Sequence, residues 1–297
     1  MATIDLSKYP APAVLEKLDY EAILAEMRAL FVARFPADPV ASAELGVPSQ
    51  MEVELLFVAE GNLIVKALEA GAYYALQLRG RVNDAAKAMM LAHATGADLD
   101  NLAALYMVAR LAGESDGELR TRLILAVDGF STAGPIEAYR FHALSADADV
   151  KDVAVQSPSP GLVRVGVLAR TGDGTPDATL LTAVQAALST DDVRPLCDTV
   201  EVVAPSVISY AVSALIWVYP GVDGEIVRQA AEDACWEYAR DTHRLGYAVT
   251  ISGLHRALHQ AGVQRVEIVS PAAEIMPTAF EAAYCTNVTV TNEGTDV

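Results

Sequence analysis

The chain has 297 residues, of which 53% are hydrophobic and 20% charged, and 39 acidic against 21 basic residues give it a net charge of −18. This length favours two or three packed units, and the composition supplies enough apolar residues for their cores. The acidic excess repels phosphate groups and anionic lipids, so neither a nucleic acid nor a membrane is expected as a partner.

The N-terminal stretch MATIDLSKYPAPAVLEKLDYE lacks the basic and apolar regions of a signal peptide, and no apolar run is long enough to span a bilayer. We therefore expect a soluble protein made in a cytoplasm. Cys197, Cys235 and Cys285 are widely spaced, odd in number and without C-x-x-C spacing. They are predicted to be buried thiols in a reducing compartment, not disulfides or a zinc site.

The region 1–128 carries helical patterns. Apolar residues from Tyr20 to Phe31 recur at three- and four-residue steps, which predicts an amphipathic helix. From Gln50 to Arg79 the chain is apolar on nearly all sides, which predicts one helix of roughly thirty residues, about 45 Å long. Such a helix needs cover all round. We expect other chains to supply part of it; the alternative is a core helix within its own domain.

Three more helices are predicted in the rest of the helical region, up to residue 128. The first closes on Gly96, a residue suited to a left-handed helix end, and the second carries Asp98 at its start. The third begins with Ser115 and Glu118 at the spacing of a capping box.

Beyond residue 127, strands alternate with helices of ten to eighteen residues, which is typical of α/β units. The pattern V-x-x-V-x-V-x-S-P over 150–158 returns over 263–271, with Ile for the third Val. Each copy follows a short helix that begins after a serine, Ser131 or Ser252, so two similar modules are predicted.

The predicted fold class is α+β, with an all-helical N-terminal region that contains a long helix, followed by two small α/β modules with mixed sheets. The predicted domains are 1–128, a helical domain for an inter-subunit bundle; 129–205, the first α/β module; and 206–297, the second module, which forms a ring or dimer contact.

The stretch GFSTAGPIEAYRFHA resembles a serine nucleophile motif. The spacing from Gly129 through Ser131 to Gly134 is one residue too long for a nucleophile elbow, and no strand precedes it. Pro135 and Glu137 instead mark a helix N-terminus, which places His142 inside that helix. We interpret the stretch as a helix cap.

His255 and His259 lie four residues apart on a predicted helix, with His243 upstream. This spacing can hold a metal, so a metal-dependent hydrolase that uses the three histidines is kept as the alternative function. Arg256 stands where the zincin motif has its glutamate, which opposes a cation there.

The acidic residues of 114–128 could suggest a glycosidase pair, but three of them crowd one helix start, where solvated capping explains them better. No catalytic, cofactor or metal site is therefore predicted. Arg120, Arg122 and Arg194 are candidates for anchoring ion pairs, with exposed surface arginines as the alternative. Tyr210, Trp217 and Tyr219 share an alternating strand and are predicted to be core or ring-contact residues.

Several stretches in fixed order resemble the baseplate assembly protein J family of contractile-tailed phages. They are ATGADLDNLAALYMVAR, GESDGELRTRL, STAGPIEAY, VKDVAVQSPSPGLVRVGVL, VRPLCDTVEVVAPSVISYAV, YAVTISGLHRALHQAGVQRVEIVSP and EAAYCTNVTVT. The resemblance runs from about Leu55 to the C-terminus.

The resemblance implies a structural baseplate wedge protein with no catalysis and no cofactor. It implies two copies per wedge that pack long helices with other wedge subunits, and C-terminal modules that join wedges into a six-fold ring. It also implies contacts with a small sheath-linking baseplate protein and a central hub, in the tail baseplate of a virion assembled in the host cytoplasm. An equivalent tailocin-type injection particle is an open alternative.

Under that resemblance, the apolar helix supplies the inter-subunit bundle. The residues concerned are Leu55, Leu56, Phe57, Leu63, Ile64, Leu68, Tyr73, Tyr74 and Leu76.

Overall fold

A computed structural model describes residues 14–59, 61–131 and 135–295 of the protein. The helices are α1 (Tyr20–Val32), α2 (Pro39–Leu45), α3 (Gln50–Leu56), α4 (Leu63–Ala88), α5 (Gly96–Ala104), α6 (Asp116–Gly129), α7 (Ile136–Ala146), α8 (Ala178–Leu188), α9 (Gly224–Thr242) and α10 (Ile251–Leu258). The strands are β1 (Val150–Ser159), β2 (Leu162–Ala169), β3 (Thr199–Val203), β4 (Ser206–Val218), β5 (Val263–Ser270) and β6 (Glu281–Asn292).

The α+β prediction is confirmed, because a helical region comes first and two small mixed sheets follow. The chain divides into two compact units, Met1–Leu102 and Ala103–Val297. The domain limits at residues 128 and 205 stay a prediction. Within the described ranges, none of the helices combines the length and the apolar character that a membrane crossing requires.

The predicted long helix is two helices, which corrects the expectation of one continuous element over Gln50–Arg79. Helix α3 ends at Leu56, and α4 begins at Leu63 after Asn62, whose side chain accepts a hydrogen bond from Ile64 N at 2.9 Å. Asparagine is a strong N-cap because its side-chain oxygen satisfies an otherwise unpaired backbone N–H. Helix α4 then runs through the expected boundary near Arg79, and its 26 residues span about 39 Å.

The helix ends follow the local rules in part. Ser115 and Glu118 form the expected capping box at the start of α6. Gly96 has the predicted positive φ of 53°, but it opens α5, since α4 already ends at Ala88. The stripe of α1 is confirmed by Ile23 and Leu24, which are buried.

The first sheet has the order β1-β2-β3, with β1 and β2 antiparallel and β2 and β3 parallel. Gly161 lies in the β1–β2 turn at φ 78°, and a side chain there would meet the carbonyl of Cys197 at 3.2 Å, so both the turn and the close packing favour glycine. Helices α7 and α8 pack against this sheet, and Tyr139 and Val165 are among the buried residues of their shared core.

The second sheet has the order β5-β4-β6, with β4 antiparallel to β5 and parallel to β6. Strand β6 was not predicted, although its VTVT alternation is a strand signal. Helices α9 and α10 pack against the sheet around a core that includes Ile216, Cys235 and Leu254.

The internal repeat marks equivalent pieces of the two sheets. Helix α7 leads into β1 and α10 into β5, and each of these strands is the antiparallel neighbour of its central strand. The central strands β2 and β4 are each followed by a helix, and each has a parallel neighbour on its other side. The two sheets therefore have the same arrangement of strands and helices, but the helix–strand pair precedes the central strand in the first sheet and follows it in the second. The predicted starts differ, because α7 begins after Pro135 and α10 after Thr250.

Within the unit Ala103–Val297, the loops of the second module pack on the first sheet. A Cβ added at Gly166 of β2 would lie 2.5 Å from the ring of Phe280, so the missing side chain makes room for that ring. Asp152 Oδ2 of β1 accepts a hydrogen bond from Leu245 N at 2.9 Å. These contacts join the two modules through backbone and ring packing.

Candidate interaction surfaces

Helix α4 uses one face for the core of the N-terminal unit. Val65 and Ala72 are buried, and Ala72 joins Ile23 and Leu24 of α1 in an apolar cluster. Gly71 allows close approach, because a Cβ at that position would lie 2.8 Å from the Met27 methyl group. The inner face of α4 is thus an intradomain core face, as the alternative interpretation of the helix expected.

Polar groups fix the C-terminal half of α4 against α1 and the segment before it. Asn83 accepts a hydrogen bond from Glu16 N at 3.0 Å and donates one to Glu16 O at 2.8 Å. Arg79 pairs with Glu26 at 3.0 Å. Since Asn83 is buried and satisfied on both sides of its amide, it holds the chain in one register along the helix.

The opposite side of α4 presents a continuous exposed apolar row, which we call the α4 stripe. Its residues follow each other at three- or four-residue steps, so they align along the helix. Leu63 is 83% exposed, Tyr74 64%, Leu78 48%, Val82 60% and Met89 80%. The α4 stripe consists of Leu63, Ala67, Ala70, Tyr74, Leu78, Val82, Ala85 and Met89.

Soluble proteins rarely expose a continuous apolar row of this length. Large exposed apolar patches usually mark surfaces to which other chains bind. Helix α3 adds exposed Met51 and Leu55 to the apolar surface of the same unit. The inner face of α4 is therefore packed within the N-terminal unit, whereas its outer face has the composition of a helix–helix interface.

The residues predicted for an inter-subunit bundle divide between these two faces. Leu63 and Tyr74 belong to the α4 stripe, and Tyr73 beside it is 58% exposed. Leu68 and Leu76 instead pack on the intradomain cluster. Leu78 lies inside the predicted helix but was not named for the bundle, whereas Val82 and Met89 were missed because that helix was expected to end at Arg79. The four-residue steps from Tyr74 to Leu78 and Val82 were the available signal.

Arg122 forms a buried ion pair, which confirms the predicted anchoring role for this arginine. Its Nε donates to Glu114 Oε1 at 2.8 Å and its Nη2 to Glu114 Oε2 at 2.8 Å, and both side chains are 5% exposed. Ser145 Oγ also accepts a hydrogen bond from its Nη1, and the Ala109 carbonyl accepts one from its Nη2. The pair ties α6 to the chain before it and to the end of α7.

The acidic cluster is therefore not all solvated capping, which corrects the expectation for Glu114. Glu118 caps α6 as expected and also pairs with Arg170, whereas Asp116 pairs with Arg110 at 2.7 Å. Arg194 departs from its prediction as well, since its Nη1 donates to the backbone oxygen of Asp198 at 3.2 Å.

Strand β4 separates the aromatic residues that were predicted together. Tyr210 and Val212 point into the core with Ala214 and Ile216. Trp217 lies on the opposite face because side chains alternate along a strand, and the Arg265 guanidinium stacks 3.6 Å from its ring centroid. Tyr219 is 52% exposed beyond the end of β4. Of the three, Tyr210 is a core residue.

The three histidines do not share a site on one helix face. His243 is 7% exposed, and its Nδ1 lies 2.8 Å from the Ala283 carbonyl. Burial lowers the pKa of His243 below its usual range. Helix α10 ends at Leu258 and His259 is its C-cap, and both His255 and His259 are exposed, whereas His243 is buried. In the described ranges, no group of three or more His, Cys, Asp or Glu residues is arranged to hold a metal ion.

The described residues of the serine motif lie before and within helix α7. Gly134 lies outside the described residues. Pro135 is the N-cap of α7 and not its first helical residue, so this helix begins one residue later than predicted. Inside α7, His142 Nε2 lies 3.0 Å from the Gly129 carbonyl, and burial lowers the pKa of this histidine.

The cysteines follow the prediction in two of three positions. Cys235 and Cys285 are buried in the core of the second sheet, and burial raises the pKa of both thiols, that of Cys235 to about 12. Cys197 is exposed, which corrects the expectation of a buried thiol.

Comparison with protein-family models matches three consecutive parts of the chain. They are the Baseplate J-like N-terminal domain over residues 60–115, the Baseplate J-like central domain over 131–204 and the Baseplate J-like protein C-terminal domain over 210–291.

Among curated proteins, Baseplate protein J of Escherichia phage P2 is 39% identical over 311 aligned positions, which cover 100% of both chains. Among solved structures, a chain of the anti-feeding prophage baseplate matches 60% of this chain and 43% of its own length, with 16% identity and a TM-score of 0.42.

Proposed function

The chain belongs to the baseplate J family of structural phage proteins, and from that premise we propose that it is a wedge protein in the baseplate of a contractile tail. The observation that carries the proposal is the full-length match at 39% identity to a phage baseplate protein. The proposal gives the chain an assembly role and no catalytic step.

The α4 stripe supplies the surface by which the chain packs helices with wedge partners, a second copy of itself among them. Its exposed leucine, tyrosine, valine and methionine side chains release ordered water when they are covered, which drives association. The inner face of α4 is fixed by Asn83 and Arg79, so the helix offers this surface without a large rearrangement.

The C-terminal modules would join neighbouring wedges into the six-fold ring, with a sheath-linking small protein and the central hub as further neighbours. We keep the division at residues 128 and 205 as part of this proposal. The matched ranges 131–204 and 210–291 support it, because the first contains β1, β2 and β3 and the second contains β5 and most of β4 and β6. The location proposed is the virion tail, with assembly in the host cytoplasm.

A deletion tests the assembly role. Removing the coding sequence from its phage or prophage is expected to yield particles without baseplates, and supplying the chain in trans is expected to restore them, as seen by negative-stain electron microscopy. Complete baseplates on the deletion particles would contradict the proposal. The same images distinguish a phage from a headless tailocin-type particle.

A further inference from the structure

A cleft in the C-terminal unit is lined by five basic residues, although the chain as a whole is acidic. It lies between α6, α7, the start of β1 and the loop after α9, and its volume is about 190 Å³. The basic residues lining it are Arg122, Arg140, Lys151, Arg170 and Arg244. The acidic residues lining it are Glu114, Glu118 and Asp152.

The carboxylates of the cleft already accept hydrogen bonds or form ion pairs. Glu114 accepts two hydrogen bonds from Arg122 and one from Leu111 N. Glu118 accepts from Ser115 and pairs with Arg170.

Asp152 is committed as well, through its two oxygens. Oδ2 accepts from Leu245 N at 2.9 Å and Oδ1 from Val153 N at 2.9 Å, while the Arg140 guanidinium lies 3.9 Å away. The oxygens of these three acids are therefore already engaged by hydrogen bonds or ion pairs with other groups.

Two cations of the cleft remain without an ion pair. Within residues 14–59, 61–131 and 135–295, neither Lys151 nor Arg244 has a carboxylate oxygen within 4.0 Å. Lys151 is half-buried, and burial together with the guanidinium groups of Arg244 and Arg170 lowers its pKa, although the carboxylates of Asp152 and Asp241 oppose this shift. A desolvated ammonium beside other cations is unfavourable unless an anion approaches it.

We propose that this cleft binds a carboxylate side chain from an acidic segment of a neighbouring protein chain, which contacts Lys151 and Arg244 together. The volume is below the usual range for small-molecule pockets, so it suits one or two inserted side chains. A carboxylate suits the two groups because the planar Arg244 guanidinium can donate two parallel hydrogen bonds to it while the Lys151 ammonium donates to the same acid. The site is separate from the α4 stripe and does not rest on the proposed function.

The test is fluorescence anisotropy with fluorescein-labelled hexaglutamate and the full-length chain at low ionic strength. Saturable binding is expected, and the double variant Lys151→Gln/Arg244→Gln is expected to weaken it about tenfold or more, as the loss of charge-assisted hydrogen bonds requires. The matched control, Lys87→Gln/Arg256→Gln, changes the net charge equally at exposed residues outside the cleft and is expected to bind as the wild type does.

Because Lys151 is half-buried, Arg244→Gln alone provides a second measurement at an exposed residue. It should weaken binding several-fold while the unfolding temperature stays unchanged. Equal weakening in the cleft and control variants would overturn the proposal, as would no saturable binding. Displacement of hexaglutamate by inorganic phosphate at a lower concentration than by unlabelled hexaglutamate would also overturn it, since it would assign the cleft to a free small anion.

Discussion

The double variant Tyr74→Ser/Leu78→Ser tests whether the α4 stripe is covered by another chain. The two side chains are 64% and 48% exposed, so together they leave a little more than one side chain's apolar area in water. At about 2 kcal/mol for each fully buried side chain, covering them contributes about 2 kcal/mol per copy. When two copies pair through this surface and both carry the variant, about 4 kcal/mol is lost, or roughly a thousandfold in Kd.

Sedimentation equilibrium of the full-length chain over a wide concentration range measures this effect. The wild type is expected to associate with increasing concentration, and the variant to remain monomeric over the same range. Tyr247→Ser/Val127→Ser is the matched control, because these residues are 52% and 61% exposed on the other unit. Equal loss of association in the control, or none in the stripe variant, would refute the reasoning.

The thermal stability of the stripe variant gives a second check on the same idea. The buried fractions of the two side chains add up to a little less than one side chain. Their replacement should therefore change the free energy of unfolding of the monomer by about 2 kcal/mol or less. A large loss of monomer stability would mean that these side chains are core residues of the unit itself.

Three further predictions concern the C-terminal unit. Arg122→Met leaves a buried carboxylate unpaired and should lower the free energy of unfolding by about 3–5 kcal/mol, whereas Arg164→Met, in an exposed pair, should cost under about 1 kcal/mol. Gly166→Ala puts a methyl group into the aromatic ring packed on β2 and should destabilise by about 1–3 kcal/mol, while Gly117→Ala on α6, whose Cβ would meet Ser115 Oγ at an ordinary 4.0 Å, should be neutral or stabilising. Because burial lowers the folded-state pKa of His243, the unfolded chain binds the proton first, so stability should fall as pH drops below about 6.5.

Urea unfolding measures all three, and each has an outcome that contradicts it. Equal losses for the two arginine variants would mean that burial of the Glu114 pair does not matter. A Gly166→Ala protein as stable as the wild type would show that the ring is free to move aside. Replacing His243 with glutamine should reduce the slope of stability against pH between pH 7 and 5, roughly the range that spans the reference pKa of histidine; an unchanged slope would assign the acid sensitivity to other groups.

Local patterns predicted much of the fold because they encode local physics. The capping box at Ser115 and the alternation of β1 and β2 each follow from spacing along the chain, and the structure has both. The break before Leu63 was missed because the apolar run on either side hides the Gly61–Asn62 turn signal. Strand β6 was missed because threonine alternation is a weaker signal than an apolar run.

The surfaces were harder to predict because exposure depends on contacts between distant residues. The sequence shows that α4 is apolar, but its packing against α1 decides which side is left open, so Leu68 is covered and Tyr74 is not. The same holds for Glu114, whose position before a helix suggests a solvated cap, whereas the fold places it against Arg122. The cleft around Lys151 joins residues from four parts of the chain, and no local spacing indicates it.

Immunogold electron microscopy on particles from the lysate that contains the chain tests the central claim most directly. With an antibody raised against the purified chain, the account predicts gold at the end of the sheath distal to the head, or at one end of a headless sheath. Particles that stay unlabelled after gentle disruption, with all antigen recovered as free protein, would contradict a baseplate role.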